Sequence, residues 1–530
     1  MSNKPNILIF CTDQQRYDHL GCMGLNQVQT PNIDSLAAGG VLFRRAYAVN
    51  TVCQPSRTTM LTGQTLRGHG RRSGFIPQNP DIVTLPDVLA DHGYRTHAVG
   101  KLHLHNWFKP GDRSIEDLDP AEWPELWDFW RRGQISHLPE PYYGFQTTEC
   151  VGGHGFNAYG DYVNWLKANH PDAVPYLDVN HPANVSRNAY QTKDWAIPQE
   201  LHYNRWISDR TCDFLEKQSH TEQPFFLWCS FPDPHLPFAA PEPWCRMYDP
   251  EDMKLGPRRE GELDSMPPFY KKAHMNDPES VMSIVGSVGD DEVRKQIAMT
   301  FGMVSFVDQE VGRVMSKMEG LNLLDNTIIV FISDHGDMIG DHGLIQKGFY
   351  QYRGAIQIPL IVAWKGHLRE GEVSDALTGH IDLVPTLMDL CSIPVNENKQ
   401  AKIPWCAADS PPPELPGKSL GPILEGRADR VNDYVIHEAD MDFLGLRVRT
   451  FVTDRYRLTI YPGREFGELF DMHEDPDELF NLWDAADMQD TKRQLMERFF
   501  HAYVLQEPAA PKFSHTRKVI GQHFREDRRQ

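Results

Sequence analysis

The chain has 530 residues, 40% of them hydrophobic and 24% charged, the make-up of a globular protein long enough for several domains and a sizeable core. Its net charge of -20 argues against a nucleic-acid binder, which calls for a basic surface. A small anionic ligand is not excluded, because local cations can dominate inside a pocket.

The first ten residues carry no secretory signal, since the apolar run Asn6 to Phe10 is short and soon followed by Asp13. No stretch approaches the roughly 20 apolar residues of a membrane span, so the expected setting is cytoplasmic. Asn6 to Phe10 reads as a buried parallel strand, Thr96 to Val99 as a second and Pro224 to Ser230 as a third. Thr30 to Leu36 gives a turn and a helix start, and Thr84-Leu85-Pro86-Asp87 opens another helix that ends near Gly93. Ala298 to Met318 has helical spacing, Asn326 to Ser333 is the clearest central strand, and Pro359 to Trp364 is another strand. Strands alternating with helices predict a doubly wound α/β sheet.

Between residues 105 and 201 this pattern breaks down. The stretch is rich in Trp, Tyr, Pro, Asp and Gly and reads as a long excursion forming a pocket wall or lid. Its Trp107, Phe108, Trp123, Trp127, Trp130, Tyr142 and Tyr143 are expected to be mostly packing, with stacking on an aryl or sugar group as the other role. Val395 to Pro416 reads as a linker or surface loop. Beyond it, Tyr434 to Glu438, Leu446 to Val452, Tyr456 to Tyr461 and Glu468 to Asp471 are short strands, followed by a helix from about Thr491 to Leu505. They predict a smaller antiparallel α+β domain. The tail from Lys512 to Gln530 is basic, a frayed end or an oligomerisation arm. The nine cysteines (Cys11, Cys22, Cys53, Cys150, Cys212, Cys229, Cys245, Cys391 and Cys406) show no zinc or disulfide spacing and are expected to be mostly reduced and buried.

Chemistry-bearing residues cluster at strand ends, where ligands bind in α/β sheets. Asp13 and Gln14 follow the first strand, and Asp334 and His335 follow the strongest one. Two carboxylates, an amide and an imidazole make a divalent-metal set, with turn chemistry as the alternative for either pair alone. Lys101 and His103 follow another strand end and His235 a fourth, while Lys347 lies shortly after Asp334. Cys53-Gln54-Pro55-Ser56-Arg57, followed by Thr62-Gly63, is the pattern that formylglycine-generating systems recognise. By chance a Cys-x-Pro-x-Arg string occurs in only a few per cent of chains this long. Together these residues are an inventory for transferring a tetrahedral anion: a nucleophile, cations for its oxygens, a base and an acid.

On these residues, the chain resembles the sulfatase family of the alkaline-phosphatase-like superfamily. Matching segments run from Asn6 to Leu482, the most specific being Cys53 to Gly63 and Ser333-Asp-His-Gly336. The resemblance implies a large mixed, mostly parallel sheet flanked by helices over residues 1–415, with 105–201 as an insertion, and a smaller α+β domain over 416–530. It implies that Cys53 is the precursor of a formylglycine, whose hydrated aldehyde attacks sulfur. Arg57 and Lys101 would hold that diol, and His103 would take the proton that lets the sulfated form collapse. His235 and Lys347 would bind the transferred group and assist the leaving oxygen. Asp13, Gln14, Asp334 and His335, with residue 53, would ligate one divalent ion, Ca2+ first and Mn2+ as the alternative. A formylglycine-generating enzyme would be the maturation partner and a small sulfate ester the substrate, with a homo-oligomer as an open option. Many sulfatases carry Asp where Gln14 stands and Asn where His335 stands; Asp-Gln with Asp-His also occurs in relatives that hydrolyse phosphonate monoesters and phosphodiesters. That activity is the alternative. A non-catalytic relative serving as a binding module is disfavoured, because no key residue is missing.

Overall fold

The structure is a computed structural model that describes residues 4–74, 76–109, 111, 113–276, 286–394, 415–441 and 445–506. Its strands are β1 (Asn6–Thr12), β2 (Val41–Tyr47), β3 (Arg95–Gly100), β4 (Thr147–Gly152), β5 (Tyr159–Gly160), β6 (Val185–Ser186), β7 (Thr192–Asp194), β8 (Phe225–Ser230) and β9 (Phe238–Ala240). They continue with β10 (Thr327–Ser333), β11 (Gln357–Ala363), β12 (Glu372–Ser374), β13 (Thr378–Gly379), β14 (Val435–Met441), β15 (Leu446–Val452), β16 (Tyr456–Ile460) and β17 (Gly467–Asp471). The main sheet runs β12-β2-β11-β10-β1-β8-β3-β4-β5, with β13 also on β2. Its middle, β10-β1-β8-β3-β4, is parallel throughout.

The continuous apolar runs of β1 and β10 follow from burial on both faces, since every residue of each is buried. Alternation along β1 sends Ile7, Ile9 and Cys11 into one core and Leu8 and Phe10 into the other. Helices Cys53–Thr62, Leu85–Asp91 and Leu383–Leu390 contribute to the first core. Helices Tyr203–Gln218 and Asp290–Gly320 cover the second.

The expected doubly wound sheet, mixed and mostly parallel, is thus present. β2 is not among the expected strands, and the mixed character comes from β11, which runs antiparallel to both β10 and β2. The expected excursion over 105–201 supplies β4 to the parallel block and a helix, Asp161–Asn169. Its aromatics are mostly packing: Trp107, Trp123, Trp130 and Tyr142 are buried, whereas Phe108 is 59% exposed. Eight cysteines are free, six of them buried; Cys406 lies outside the described residues.

β14, β15, β16 and β17 form a separate antiparallel sheet in chain order. Helix Gln489–Leu505 packs on one face through Leu495 and Phe499 against Phe451, Leu458 and Leu469. The other face shares a core with Tyr47, Met338, Tyr350 and Tyr352 from the larger part. Most of the expected linker, residues 395–414, and the basic tail fall outside the described residues. No described helix is long and apolar enough to cross a membrane.

Candidate active site

Strand register brings the site together. Thr12 pairs with Ser333, and Ser230 pairs with both Cys11 and Gly100. β1, β3, β8 and β10 therefore stop at one edge, and Asp13, Lys101, the loop to His235, and Asp334 leave from it. Gln14 and His103 both take left-handed backbone (φ 63° and 55°), a conformation that costs non-glycine residues energy and often marks functional turns.

Cys53 is the first residue of helix Cys53–Thr62, after extended Val52. Pro55 is tolerated in the first turn, where main-chain N–H groups have no helical partner. Gly63, left-handed at φ 65°, ends the helix. The i, i+4 spacing puts Cys53 and Arg57 on one helix face, which accounts for the Cys-x-Pro-x-Arg string. Cys53 Sγ lies 3.3 Å from His335 Nε2, 3.4 Å from Lys347 Nζ and 3.6 Å from Asp13 Oδ1. Arg57 is wholly buried and donates to Asp334 Oδ2 (2.8 Å), Lys101 O (2.9 Å) and Ser230 Oγ (3.0 Å).

Lys347 Nζ also lies 2.9 Å from both His235 Nε2 and His335 Nε2. Each ring has Nδ1 on a main-chain carbonyl, Leu236 O at 2.5 Å and Gly336 O at 3.0 Å. That assigns the proton to Nδ1 and leaves Nε2 as acceptor for the lysine. Lys101 Nζ contacts Asp13 Oδ2 and sits 4.9 Å from the Trp107 ring. The His103 ring stacks on Trp107 at 3.5 Å. All ten expected residues thus gather at one place.

Burial decides the protonation states. It pushes the Cys53 thiol up despite Lys347, so an unmodified thiol stays neutral and weakly nucleophilic. Desolvation, then neighbouring charge from Lys101 and Lys347, holds His154 well below the usual imidazole range. His103 and His235 are held low in the same way, as is His335 against the pull of Asp334. Burial alone would raise the Asp334 carboxyl, but Arg57, with Lys101 and Lys347, keeps it below the usual carboxylate range. The result is neutral histidines and an ionised Asp334 beside Arg57, while burial lowers Lys101 as well, well below the usual lysine range against the pull of Asp334.

Among the described residues, ligand atoms of Asp13, Cys53, Asp334 and His335 lie within 4.8 Å of one another. Gln14 adds a buried Oε1 with no hydrogen-bond partner among the described residues. Hard oxygens with one neutral imidazole fit a divalent cation such as Ca2+ or Mn2+.

Two residues at the site are not among those expected. His154 lies at the end of β4, with Nε2 2.6 Å from Lys101 Nζ and 3.2 Å from Asp13 Oδ2, and its ring stacks on His235 at 3.5 Å. The same strand-end rule finds it once β4 is recognised. Asp337 takes the Gln14 amide Nε2 as donor, a contact between residues 323 apart that no local pattern announces.

An α/β sheet delivering carboxylates, neutral imidazoles and three cations to a buried helix start defines an alkaline-phosphatase-like hydrolase. The chain belongs to the sulfatase family: that family's sequence pattern matches residues 5–393, and the pattern "N-sulphoglucosamine sulphohydrolase, C-terminal" matches 340–504. By class it is a hydrolase acting on sulfuric esters. It is 29% identical over 498 residues to an uncharacterized sulfatase, YidJ, of Escherichia coli, covering 93% of this chain and 86% of that protein. It is 26% identical over 493 residues to an arylsulfatase of Clostridium perfringens, covering 92% of each. Its fold is similar to that of the phosphonate monoester hydrolase of Agrobacterium radiobacter, with a TM-score of 0.74 at 23% identity over 95% of this chain and 96% of that one.

Proposed function

We propose that this protein hydrolyses sulfate monoesters with a formylglycine made from Cys53 and one divalent cation held by Asp13, Gln14, Asp334 and His335. Convergence on Cys53 carries this: a lysine, an imidazole and a carboxylate lie within 3.6 Å of a thiol that burial keeps neutral. When bound, the cation neutralises an oxygen of the transferred group and lowers the pKa of a hydroxyl at position 53. Ca2+ is our first choice and Mn2+ the alternative.

Arg57 and Lys101 orient residue 53 and favour its ionised hydroxyl. The helix start beneath it favours negative charge there as well. His103, neutral and with Nδ1 unpartnered among the described residues, takes the proton from the second hydroxyl of residue 53. Lys347 holds an outer oxygen of the transferred group, and a proton passed from its ammonium to His235 Nε2, 2.9 Å away, is the one delivered to the leaving oxygen. Overall, the ester S–O bond breaks, the alcohol leaves protonated, and sulfate departs with the oxygen of water. A formylglycine-generating enzyme is the maturation partner this requires, and a division near residue 415 separates the catalytic part from the C-terminal sheet.

Gln14 and His335, in place of two more acidic or amide ligands, favour a second activity of the same residues, hydrolysis of phosphonate monoesters or phosphodiesters. Mass spectrometry of the peptide containing residue 53 should show a loss of about 18 Da for the aldehyde. A fully active preparation with unmodified Cys53 refutes the mechanism. Aryl sulfate, aryl phosphonate and aryl phosphodiester, assayed side by side, should give the highest kcat/KM for sulfate. Sulfate turnover far below the phosphorus substrates would replace the first activity with the second.

A further inference from the structure

Gln14 is an unusual ligand candidate because its amide is two-faced: Oε1 can bind a cation and Nε2 cannot. Something has to decide which end faces the site. Gln14 is 2% exposed, and its main-chain N–H is fixed on Asp334 Oδ1 at 3.1 Å. Its Nε2 donates to Asp337 Oδ2, whereas Oε1 has no donor among the described residues. Asp337 can only accept when ionised, so it can pair with the NH2 end alone.

Asp337 is itself held rigidly. Its Oδ1 accepts from Ile339 N at 2.9 Å, and Arg16 Nη1 donates to Asp337 O and Met338 O, both at 2.9 Å. Arg16 in turn is paired with Asp18 and Asp341, each at 2.8 Å. The carboxylate is therefore presented to residue 14 by a braced loop.

We propose that Asp337 is a positioning residue that turns Gln14 Oε1 toward the divalent cation. It also supplies, one bond further out, the negative charge that an amide ligand lacks. With it, the acids serving the cation are Asp13, Asp334 and Asp337. Outer partners of this kind commonly change metal affinity by roughly 10–100-fold. This rests on the cation site proposed above.

The test is a double-mutant cycle on the full chain, stripped with chelator and titrated with Mn2+ and, separately, Ca2+ by calorimetry. Asp337→Asn should weaken binding by roughly 10–100-fold, because the introduced amide can present its own NH2 to Gln14 and release that side chain to turn. In a Gln14→Asp background the same Asp337→Asn change should strengthen binding. There carboxylate would otherwise face carboxylate, and the introduced amide restores the hydrogen bond with its polarity reversed. A change of sign between backgrounds is the signature of direct coupling. Thermal unfolding of the four metal-free proteins controls for misfolding; both variants with matched partners should unfold near one temperature. Equal effects of Asp337→Asn in both backgrounds would overturn the positioning role while leaving the cation site intact. No cation binding by the wild-type protein would overturn both.

Discussion

Lys347 is the residue on which the candidate chemistry turns. Its Nζ reaches Cys53 Sγ, His235 Nε2 and His335 Nε2, so one ammonium touches the nucleophile position, a candidate metal ligand and a leaving-group partner. Two neutral imidazoles and Cys53 Sγ take its three protons, so a substrate oxygen is held by replacing one of these acceptors. Lys347→Ala should lower kcat by about 10²–10³-fold, the usual loss for one preorganised donor, with a smaller change in KM, measured on aryl sulfate. A loss seen only in KM would assign Lys347 to ground-state binding. His154 shows the limit of reading single residues in the sequence. It stands in Val151-Gly152-Gly153-His154, outside any motif, and becomes visible only when its strand is known.

At the scale of elements, the loop after β8 is held by Asp233. The carboxylate accepts from Tyr203 Oη and, at 2.7 Å, from Asn204 Nδ2 at the start of helix Tyr203–Gln218. Burial raises it from 3.8 to about 7 against those two donors. A raised carboxyl binds its proton more tightly folded than unfolded. Its stabilisation is whole below the unfolded value and is lost as pH rises through the folded one. The urea midpoint of wild type relative to Asp233→Asn should therefore fall between about pH 4 and about pH 7 and be flat above. A constant difference across that range would mean Asp233 is already ionised in the fold. The strands of the main sheet that stand out most in the sequence share one physical property. β1, β8 and β10 are buried on both faces and spell continuous apolar runs. β4, spelled Thr-Thr-Glu-Cys-Val-Gly, has two half-buried residues near its start, and β2 is interrupted by the adjacent pair Arg44-Arg45; both lose the continuous apolar run for that reason, whereas β15 keeps its two arginines in strand alternation, Leu-Arg-Val-Arg. Asp337 gives no sign in the sequence because its partner is distant along the chain, and contacts of that kind exist only after folding.

Across the whole molecule, the C-terminal sheet is part of the site's support. Glu438 N bonds Val49 O at 2.8 Å, and Asn50 Nδ2 bonds Glu438 O at 2.6 Å. Asn50 Oδ1 then accepts from Val52 N at 2.6 Å, and Asn50 O accepts from Ser56 Oγ at 2.7 Å. The turn that sets Cys53 is thus anchored to β14. The shared core of Tyr47, Tyr350 and Tyr352 with Val448 and Phe470 points the same way. A chain ending after residue 415 should be insoluble or digested by trypsin far faster than the full chain, because that core loses one of its walls. A soluble, protease-resistant fragment would show that the larger part folds alone.

Arg57 has a further consequence, one of timing. Its partners Lys101, Ser230 and Asp334 lie 44, 173 and 277 residues downstream, and once they arrive its guanidinium is sealed beneath the sheet edge. The maturation enzyme proposed above, if it identifies Cys53 by Pro55 and Arg57, would therefore meet its target only while the ribosome is still supplying β10, or before the finished chain collapses. On the function proposed above, conversion of residue 53 would compete with folding, and the fraction of active enzyme would then be set by how fast the chain matures as well as by how much modifying enzyme is present.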